Sequence, residues 1–160
     1  MPDPSGPRAV VSVAGSPDAS EAELAFAFEL GGLLAAKGYC IACGGGGGVM
    51  EAVCRGAALA GGTTIGILPG TEPDSAGPSV SLRIPTGLGS GRNRVVALAG
   101  KVLVAVGGRY GTLSEVAQAL DAGRSVMAFG NWSSIPGVTP VASPAEVIGF
   151  LEADREVGQC

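Results

Sequence analysis

Three stretches of this 160-residue chain combine residue types that could hold an anion. The first is a run of five glycines, Gly44 to Gly48, which precedes a helical pattern. Glycines allow backbone N–H groups to approach a ligand closely, and the N-terminus of a helix adds positive potential, so this turn suits a phosphate. We predict that Gly45, Gly46 and Gly47 contact it, although no Gly-Lys-Ser/Thr of a P-loop follows. Close packing of the helix on a sheet is the alternative explanation of the same glycines.

The second stretch runs from Gly107 to Glu115, between an apolar run and another helical pattern. The same physics predicts that Gly107, Gly108, Gly111 and Thr112 contact the anion. Glu115 has two interpretations. It could close a capping box by accepting a hydrogen bond from the backbone N–H of Thr112, or its carboxylate could act on a bound ligand.

The third stretch, Ser90 to Arg94, places two arginines and an asparagine at the start of a short helical pattern. Arginine offers a rigid fork of donors that matches the geometry of a phosphate. Only ten residues of the chain are basic, so two arginines this close together are notable. We predict that Arg92 and Asn93 bind the ligand, whereas Arg94 is more simply explained as solvated surface charge.

Apolar runs alternate with helical patterns along the chain, which predicts a parallel sheet covered by helices on both faces. The predicted strands span residues 9–14, 39–43, 63–68, 80–84, 101–106 and 125–129. The predicted helices span residues 20–38, 49–59, 92–98, 112–120 and 143–156, and residues 130–140 are predicted to be irregular. The fold class is therefore α/β, with a single Rossmann-like, doubly wound and mainly parallel sheet. Since such sheets bind ligands beyond the carboxyl ends of their strands, Gly15 and Ser16 join the predicted site.

The composition restricts the other function classes. Residues 8–156 are predicted to form one domain, behind a disordered lead-in of residues 1–7. The chain has no histidine, which excludes His-ligated metals and His-based catalysis, and we expect no metal site. A net charge of −4 without any block of Lys or Arg argues against nucleic acids and anionic membranes as partners. No apolar run reaches membrane-spanning length, so we expect a cytoplasmic location.

Four cysteines, Cys40, Cys43, Cys54 and Cys160, raise the question of a redox or zinc site. Cys40 and Cys43 lie in an apolar run predicted to be a buried strand, where positions three apart face opposite sides. A zinc site would need a fourth ligand, and nothing nearby supplies one. We therefore predict buried, inert thiols.

Taken together and in this order, the three stretches resemble one superfamily, which contains the Lonely Guy (LOG) phosphoribohydrolases and the molybdenum cofactor carrier proteins. Residues 107–115 resemble the LOG pattern Pro-Gly-Gly-x-Gly-Thr-x-x-Glu, with Val106 in the place of the proline. Arg92 falls where LOG proteins have an arginine, but Asn93 replaces the lysine that usually follows it. The carrier proteins are more similar, because three of their characteristic segments match residues 63–70, 86–92 and 102–107.

The resemblance implies a homo-oligomer, either a dimer or a tetramer, that binds a nucleotide-like phosphorylated small molecule. In the carrier branch that ligand would be molybdopterin, held without cleavage and with no cofactor required. In the LOG branch it would be an AMP-like nucleoside 5′-monophosphate, whose N-glycosidic bond Arg92 and Glu115 would help to cleave. We expect the binding function, with the phosphoribohydrolase as the alternative. Relatives have also been described as lysine decarboxylases, but neither Lys37 nor Lys101 is placed to form the Schiff base of a pyridoxal phosphate enzyme.

Overall fold

A computed structural model describes residues 9–157, with side chains as far as Asp154. The predicted lead-in and Cys160 lie outside the described residues. The strands are β1 (Val10–Gly15), β2 (Cys40–Cys43), β3 (Thr64–Leu68), β4 (Leu82–Pro85), β5 (Val102–Val106), β6 (Ser125–Phe129) and β7 (Val138–Pro140). The helices are α1 (Glu21–Ala36), α2 (Val49–Leu59), α3 (Arg92–Ala99), α4 (Tyr110–Asp121) and α5 (Pro144–Val157), and short 3₁₀ turns occupy Pro73–Ser75 and Gly89–Gly91.

The seven strands form one parallel sheet in the order β4-β3-β2-β1-β5-β6-β7. The chain begins at the centre of the sheet, builds outward to β4, and then returns to β5 on the other side of β1. Gly15 at the end of β1 pairs with Val106 at the end of β5. This reversal leaves a crevice at the carboxyl ends of β1 and β5, which is where doubly wound sheets bind ligands. The predicted fold class is confirmed.

Helices cover both faces of the sheet. Helices α1, α2 and α5 pack together on one face, and α3 packs beside α4 on the other. The aliphatic strand β5 is buried along its whole length, as expected for a strand between two helical layers. None of the helices in residues 9–157 is long and apolar enough to cross a membrane.

Some glycines bring helices together rather than forming turns. A Cβ on Gly31 in α1 would overlap the backbone of Val53, and one on Gly56 in α2 would overlap the backbone of Phe28. The two helices therefore approach backbone to backbone, and the glycine excess of the sequence has a second cause besides its strand-to-helix turns.

Most element boundaries differ from the prediction by one or two residues, and one strand was not predicted. Helix α4 begins at Tyr110, two residues early, and β4 begins at Leu82, two residues late. The stretch predicted to be irregular contains β7, a three-residue strand at the sheet edge that ends in Pro140. Proline is tolerated there because an edge position need not donate to the hydrogen-bond ladder, and so short a strand has no visible periodicity. The start predicted for α1 at residue 20 agrees with the structure, where Ser20 caps the helix and its Oγ accepts the N–H of Glu23 at 3.1 Å.

Candidate functional site

A cavity of about 260 Å³ opens at the carboxyl ends of β1 and β5. The loop after β1, the start of α2, the start of α3 and the first turns of α4 form its wall. The lining residues are Gly15, Ser16, Pro17, Met50, Arg92, Asn93, Arg109, Gly111, Thr112 and Glu115. The ten lining residues come from four separate parts of the chain. Most of them are residues that the sequence predicted to bind a ligand.

The loop after β1 is fastened to the start of α2. The carbonyl of Ser16 accepts the N–H of Val49 at 3.2 Å, and its hydroxyl accepts the N–H of Asp18 at 3.1 Å. Gly48 precedes α2 with φ 61° and lies directly on the backbone of Ser16 and Pro17, where any side chain would overlap their carbonyl oxygens. The end of the glycine run therefore anchors α2 to one wall of the cavity.

Arg92, the first residue of α3, is half-buried in the cavity wall. Its Nη1 donates a hydrogen bond to the carbonyl of Ile67 at 3.2 Å. The guanidinium lies against Gly44, where a Cβ would overlap Nη1. Its Nε is buried without a hydrogen-bond partner. A buried donor in this condition is costly, so Arg92 has a hydrogen bond available for an incoming acceptor.

The other predicted glycines of the first turn lie outside the cavity wall. Gly45 is buried, and its carbonyl accepts the N–H of Gly77 at 2.9 Å. Gly46 is half-buried, and Gly47 is exposed. The structure does not bring these three glycines into the wall, and their contact with a ligand stays a prediction.

The second glycine turn carries side chains into the cavity. Because α4 begins at Tyr110, Gly111 and Thr112 lie in its first turn and line the cavity. Arg109, which directly precedes α4, lines it too, and the sequence analysis missed this residue. The signal was present: Arg109 and Tyr110 stand between the glycine pair and Gly-Thr, where the LOG pattern has one residue. This chain therefore has one residue more than the pattern at this point, and Arg109, one of the two residues there, lines the cavity.

Glu115 lines the cavity and does not cap its helix. No side chain caps the N-terminus of α4, and Thr112 lies inside the helix, so the capping-box interpretation is wrong. Glu115 is only 8% exposed, and its Oε2 is buried without a hydrogen-bond partner. Burial raises the pKa of Glu115 to about 8, against the opposing effect of Arg92 and with a smaller contribution from Cys43. At neutral pH the carboxyl is therefore mostly protonated and can donate a hydrogen bond.

Gly107 and Gly108 do not line the cavity. The carbonyl of Gly107 accepts a hydrogen bond from Trp132 Nε1 at 2.8 Å, and that of Gly108 accepts one from Asn131 Nδ2 at 3.1 Å. The carboxylate of Glu23 also lies against Gly107. These contacts anchor the second turn to the loop after β6, and a ligand contact at either glycine stays a prediction.

The cavity is cationic although the chain as a whole is acidic. Arg92 and Arg109 line it, and the Glu115 carboxyl is largely neutral at pH 7. This arrangement suits an anionic ligand that also offers hydrogen-bond acceptors. In the described part of the chain, no group of three or more His, Cys, Asp or Glu residues could hold a metal ion. Lys101 lines a different hollow, which opens at the amino ends of β1 and β5.

Three known proteins are similar to this chain over nearly its whole length. The molybdenum cofactor binding protein of the phototrophic bacterium Rippkaea orientalis is 34% identical with a TM-score of 0.88, and the match covers 93% of this chain and 98% of that one. The Moco carrier protein of Chlamydomonas reinhardtii is 38% identical with a TM-score of 0.83, covering 92% and 97% of the two chains. An uncharacterized protein of Archaeoglobus fulgidus is 35% identical over 140 residues, which are 88% of this chain and 92% of that protein.

These similarities confirm the superfamily that the motifs indicated. The model of the SLOG cluster4 family matches residues 8–154, a range that contains every residue lining the cavity. The chain belongs to the SLOG cluster4 family.

Proposed function

We propose that this protein binds molybdopterin or its molybdenum-bearing form through the phosphate and carries it without cleaving it. One observation supports this above the others: two arginines and a neutral, unpartnered carboxyl line the same cavity at the crevice of the sheet. Two similar proteins of known structure are described as binding or carrying molybdenum cofactor, which agrees with such a ligand.

Two sets of lining residues suit two different parts of such a ligand, its phosphate and its pterin. Arg92, Arg109 and the N–H groups at the start of α4 provide charge and donors for a phosphate. The protonated carboxyl of Glu115 offers a hydrogen bond to a carbonyl or ring nitrogen of a pterin. Binding would also give hydrogen-bond partners to the Nε of Arg92 and to Oε2 of Glu115, for which no other protein group provides one.

The test is retention of the pterin by defined variants. Molybdopterin would be added to purified protein, unbound pterin removed by gel filtration, and the retained pterin measured by fluorescence. We expect Arg92→Ala and Arg109→Ala each to weaken binding at least about tenfold, since each removes a charged hydrogen-bond donor. Arg94→Ala is the matched control, because Arg94 is exposed on the same helix and does not line the cavity. Absence of retention by the unmodified protein, or equal losses in all three variants, would contradict the proposal.

A second candidate function is phosphoribohydrolase activity. Arg92 and Glu115 line one cavity, and Glu115 is free of the capping role that would have removed it from catalysis. However, a protonated Glu115 lacks the negative charge that stabilises an oxocarbenium-like transition state, although it could donate a proton to a leaving base. This protonation state is why we place cleavage second.

The two functions are separated by assaying release of the free base. AMP, GMP, CMP and IMP would be incubated with the protein and with Glu115→Gln, and the products separated by chromatography. Release that is lost in the variant would establish the enzyme. If no base is released from any of the four while molybdopterin is retained, the carrier function stands alone.

We also propose that the protein is a homo-oligomer that buries an apolar edge formed by Leu82, Ile84, Leu88 and Val95. These side chains are 40 to 57% exposed and lie on the edge strand β4, on the loop that follows it and on α3. Light scattering on Ile84→Glu should give a smaller particle than the unmodified protein. Leu59→Glu, at an exposed apolar side chain at the end of α2, should leave the mass unchanged. A monomeric unmodified protein would reject this assembly.

A further inference from the structure

Two buried cysteines from different elements lie side by side beneath the first glycine turn. The Sγ atoms of Cys43, the last residue of β2, and Cys54, in α2, are 3.5 Å apart and share a hydrogen bond. Neither residue has any exposed surface, which confirms the predicted burial of these thiols, whereas their close pairing argues against the predicted inertness. The thiol in contact with Cys43 is therefore Cys54, eleven residues later, and not Cys40 of the Cys40-x-x-Cys43 motif.

The environments of the two thiols differ. Cys43 Sγ accepts the N–H of Gly45 at 3.4 Å and faces the positive charge of Arg92. The hydrogen bond from Cys54, followed by these two contacts, lowers the pKa of Cys43 despite its burial and the opposing charge of Glu51. The same hydrogen bond and burial raise the pKa of Cys54. Cys43 is thus the thiol whose anion is better stabilised, and the Cys54 sulfur lies 3.5 Å from it.

We propose that Cys43 and Cys54 form a reversible disulfide, driven by hydrogen peroxide, which alters the first glycine turn and displaces Arg92. The Cys43 thiolate attacks one peroxide oxygen, the O–O bond breaks, and Cys43 becomes a sulfenic acid while the other oxygen leaves as water after taking up a proton. Cys54 sulfur then attacks the Cys43 sulfur, its proton leaves with the displaced hydroxide as a second water, and the S–S bond forms. Two thiols and one hydrogen peroxide become one disulfide and two waters, so that the two electrons lost by sulfur reduce the O–O bond.

The geometry links this reaction to the cavity. A disulfide bond is about 2.05 Å long, so the sulfurs must approach each other by about 1.5 Å. Cys43 directly precedes Gly44, against which the Arg92 guanidinium lies without room for a Cβ. Any backbone shift at Cys43 that accompanies this approach is passed directly to Gly44, the residue against which Arg92 lies. The disulfide itself does not depend on the proposed function, and only its effect on pterin binding rests on it.

The disulfide is tested in a Cys160→Ser background, which removes one cysteine outside the described residues. Folded protein would be treated with hydrogen peroxide and mapped by mass spectrometry of unreduced peptides. We expect a Cys43–Cys54 cross-link that dithiothreitol reverses and that Cys54→Ser abolishes. Cys40 is the internal control: it is also buried, and it should stay a free thiol if the reaction occurs in the folded protein. No cross-link, or cross-links that include Cys40, would overturn the proposal.

The effect on the turn is measured by amide hydrogen exchange over residues 44–48 in reduced and oxidised protein. Exchange in this segment should change on oxidation in Cys40→Ser and not in Cys54→Ser, and an unchanged segment would overturn the switch. Molybdopterin retention should fall about tenfold on oxidation, the loss expected when Arg92 is displaced. If reduced protein retains no molybdopterin, the proposed function fails, whereas the cross-link and the exchange data still decide the redox pair.

Discussion

The two glycine turns of this protein are alike in sequence and differ in how they contribute to the cavity. Both follow a buried strand and open a helix, and both were predicted to hold a phosphate through backbone N–H groups. In the first turn, Gly44 and Gly45 are buried under neighbouring side chains, and Gly48 is pressed against the loop after β1. The helix after the second turn carries two polar side chains, Thr112 and Glu115, into the cavity from its first two turns.

The difference shows what glycine contributes at each place. In the first turn the missing side chains make room for other parts of the protein, chiefly the guanidinium of Arg92. The turn thus affects the cavity indirectly, because it positions the side chain of Arg92, which belongs to α3. In the second turn a glycine also makes room, since a Cβ on Gly107 would overlap the Glu23 carboxylate, but here the neighbouring residues Arg109 and Glu115 line the cavity themselves.

The largest effect is expected for Glu115→Gln in the second turn, on stability at alkaline pH. Above the ordinary value of 4.5 the unfolded carboxyl ionises, whereas the folded one stays protonated until its pKa of about 8. The free energy of unfolding therefore falls progressively as the pH rises between these two pKa values, and by pH 8.5 it has fallen by at most about 5 kcal/mol. Gln cannot ionise, so the variant should be more stable than the unmodified protein by a gap that grows from pH 5 to pH 8.5. Urea unfolding at the two pH values measures the gap, and an equal gap at both would contradict the buried, protonated carboxyl.

The next effect is expected for Gly48→Ala at the end of the first turn. Its positive φ and the backbone oxygens of Ser16 and Pro17 leave no space for a methyl group, so the free energy of unfolding should fall by about 3 kcal/mol. Gly47→Ala is the control, because a Cβ there meets nothing within 4 Å and should change stability by less than about 0.5 kcal/mol. Equal stability of the two variants in urea would show that the turn is not anchored in this way.

A smaller effect, on binding and not on folding, is expected for Gly44→Ala. The new methyl group would overlap Arg92 Nη1, the end of a flexible side chain that can move aside. Molybdopterin retention should therefore weaken about tenfold, as in loss of one charged hydrogen bond, while urea unfolding changes little. Binding that survives intact would mean that the first turn does not position Arg92.

The smallest effect is expected for Trp132→Phe, which removes the hydrogen bond to the carbonyl of Gly107. The free energy of unfolding should fall by about 1 kcal/mol, and amide exchange over residues 107–111 should rise. Asn131→Ala, which removes the neighbouring bond to Gly108 from an exposed side chain, is the weaker comparison. Faster amide exchange in the first turn, with none in the second, would contradict the conclusion that Trp132 anchors the second turn.

Local signals in the sequence account for most of the fold. The alternation of apolar runs and helical patterns predicted every strand except β7, and the glycines at strand ends indicated the edge of the sheet at which the crevice lies. These signals succeed because strand burial, helix capping and tight turns depend on residues close together in the chain. Arg109 escaped notice, since the motif match treated residues 107–115 as continuous with a pattern that is one residue shorter.

The sequence by itself determined that the chain forms an α/β sheet with a glycine-rich crevice at the carboxyl ends of its strands, because local patterns carry that information. Only the tertiary structure decided that Arg92 is positioned by Gly44, that Glu115 is buried and protonated, and that Cys43 meets Cys54 rather than Cys40. Each of these depends on groups brought together by the crossovers of the sheet or by the packing of helix on strand. Burial and charge at such contacts are set by distance in space, which the spacing of residues along the chain does not encode.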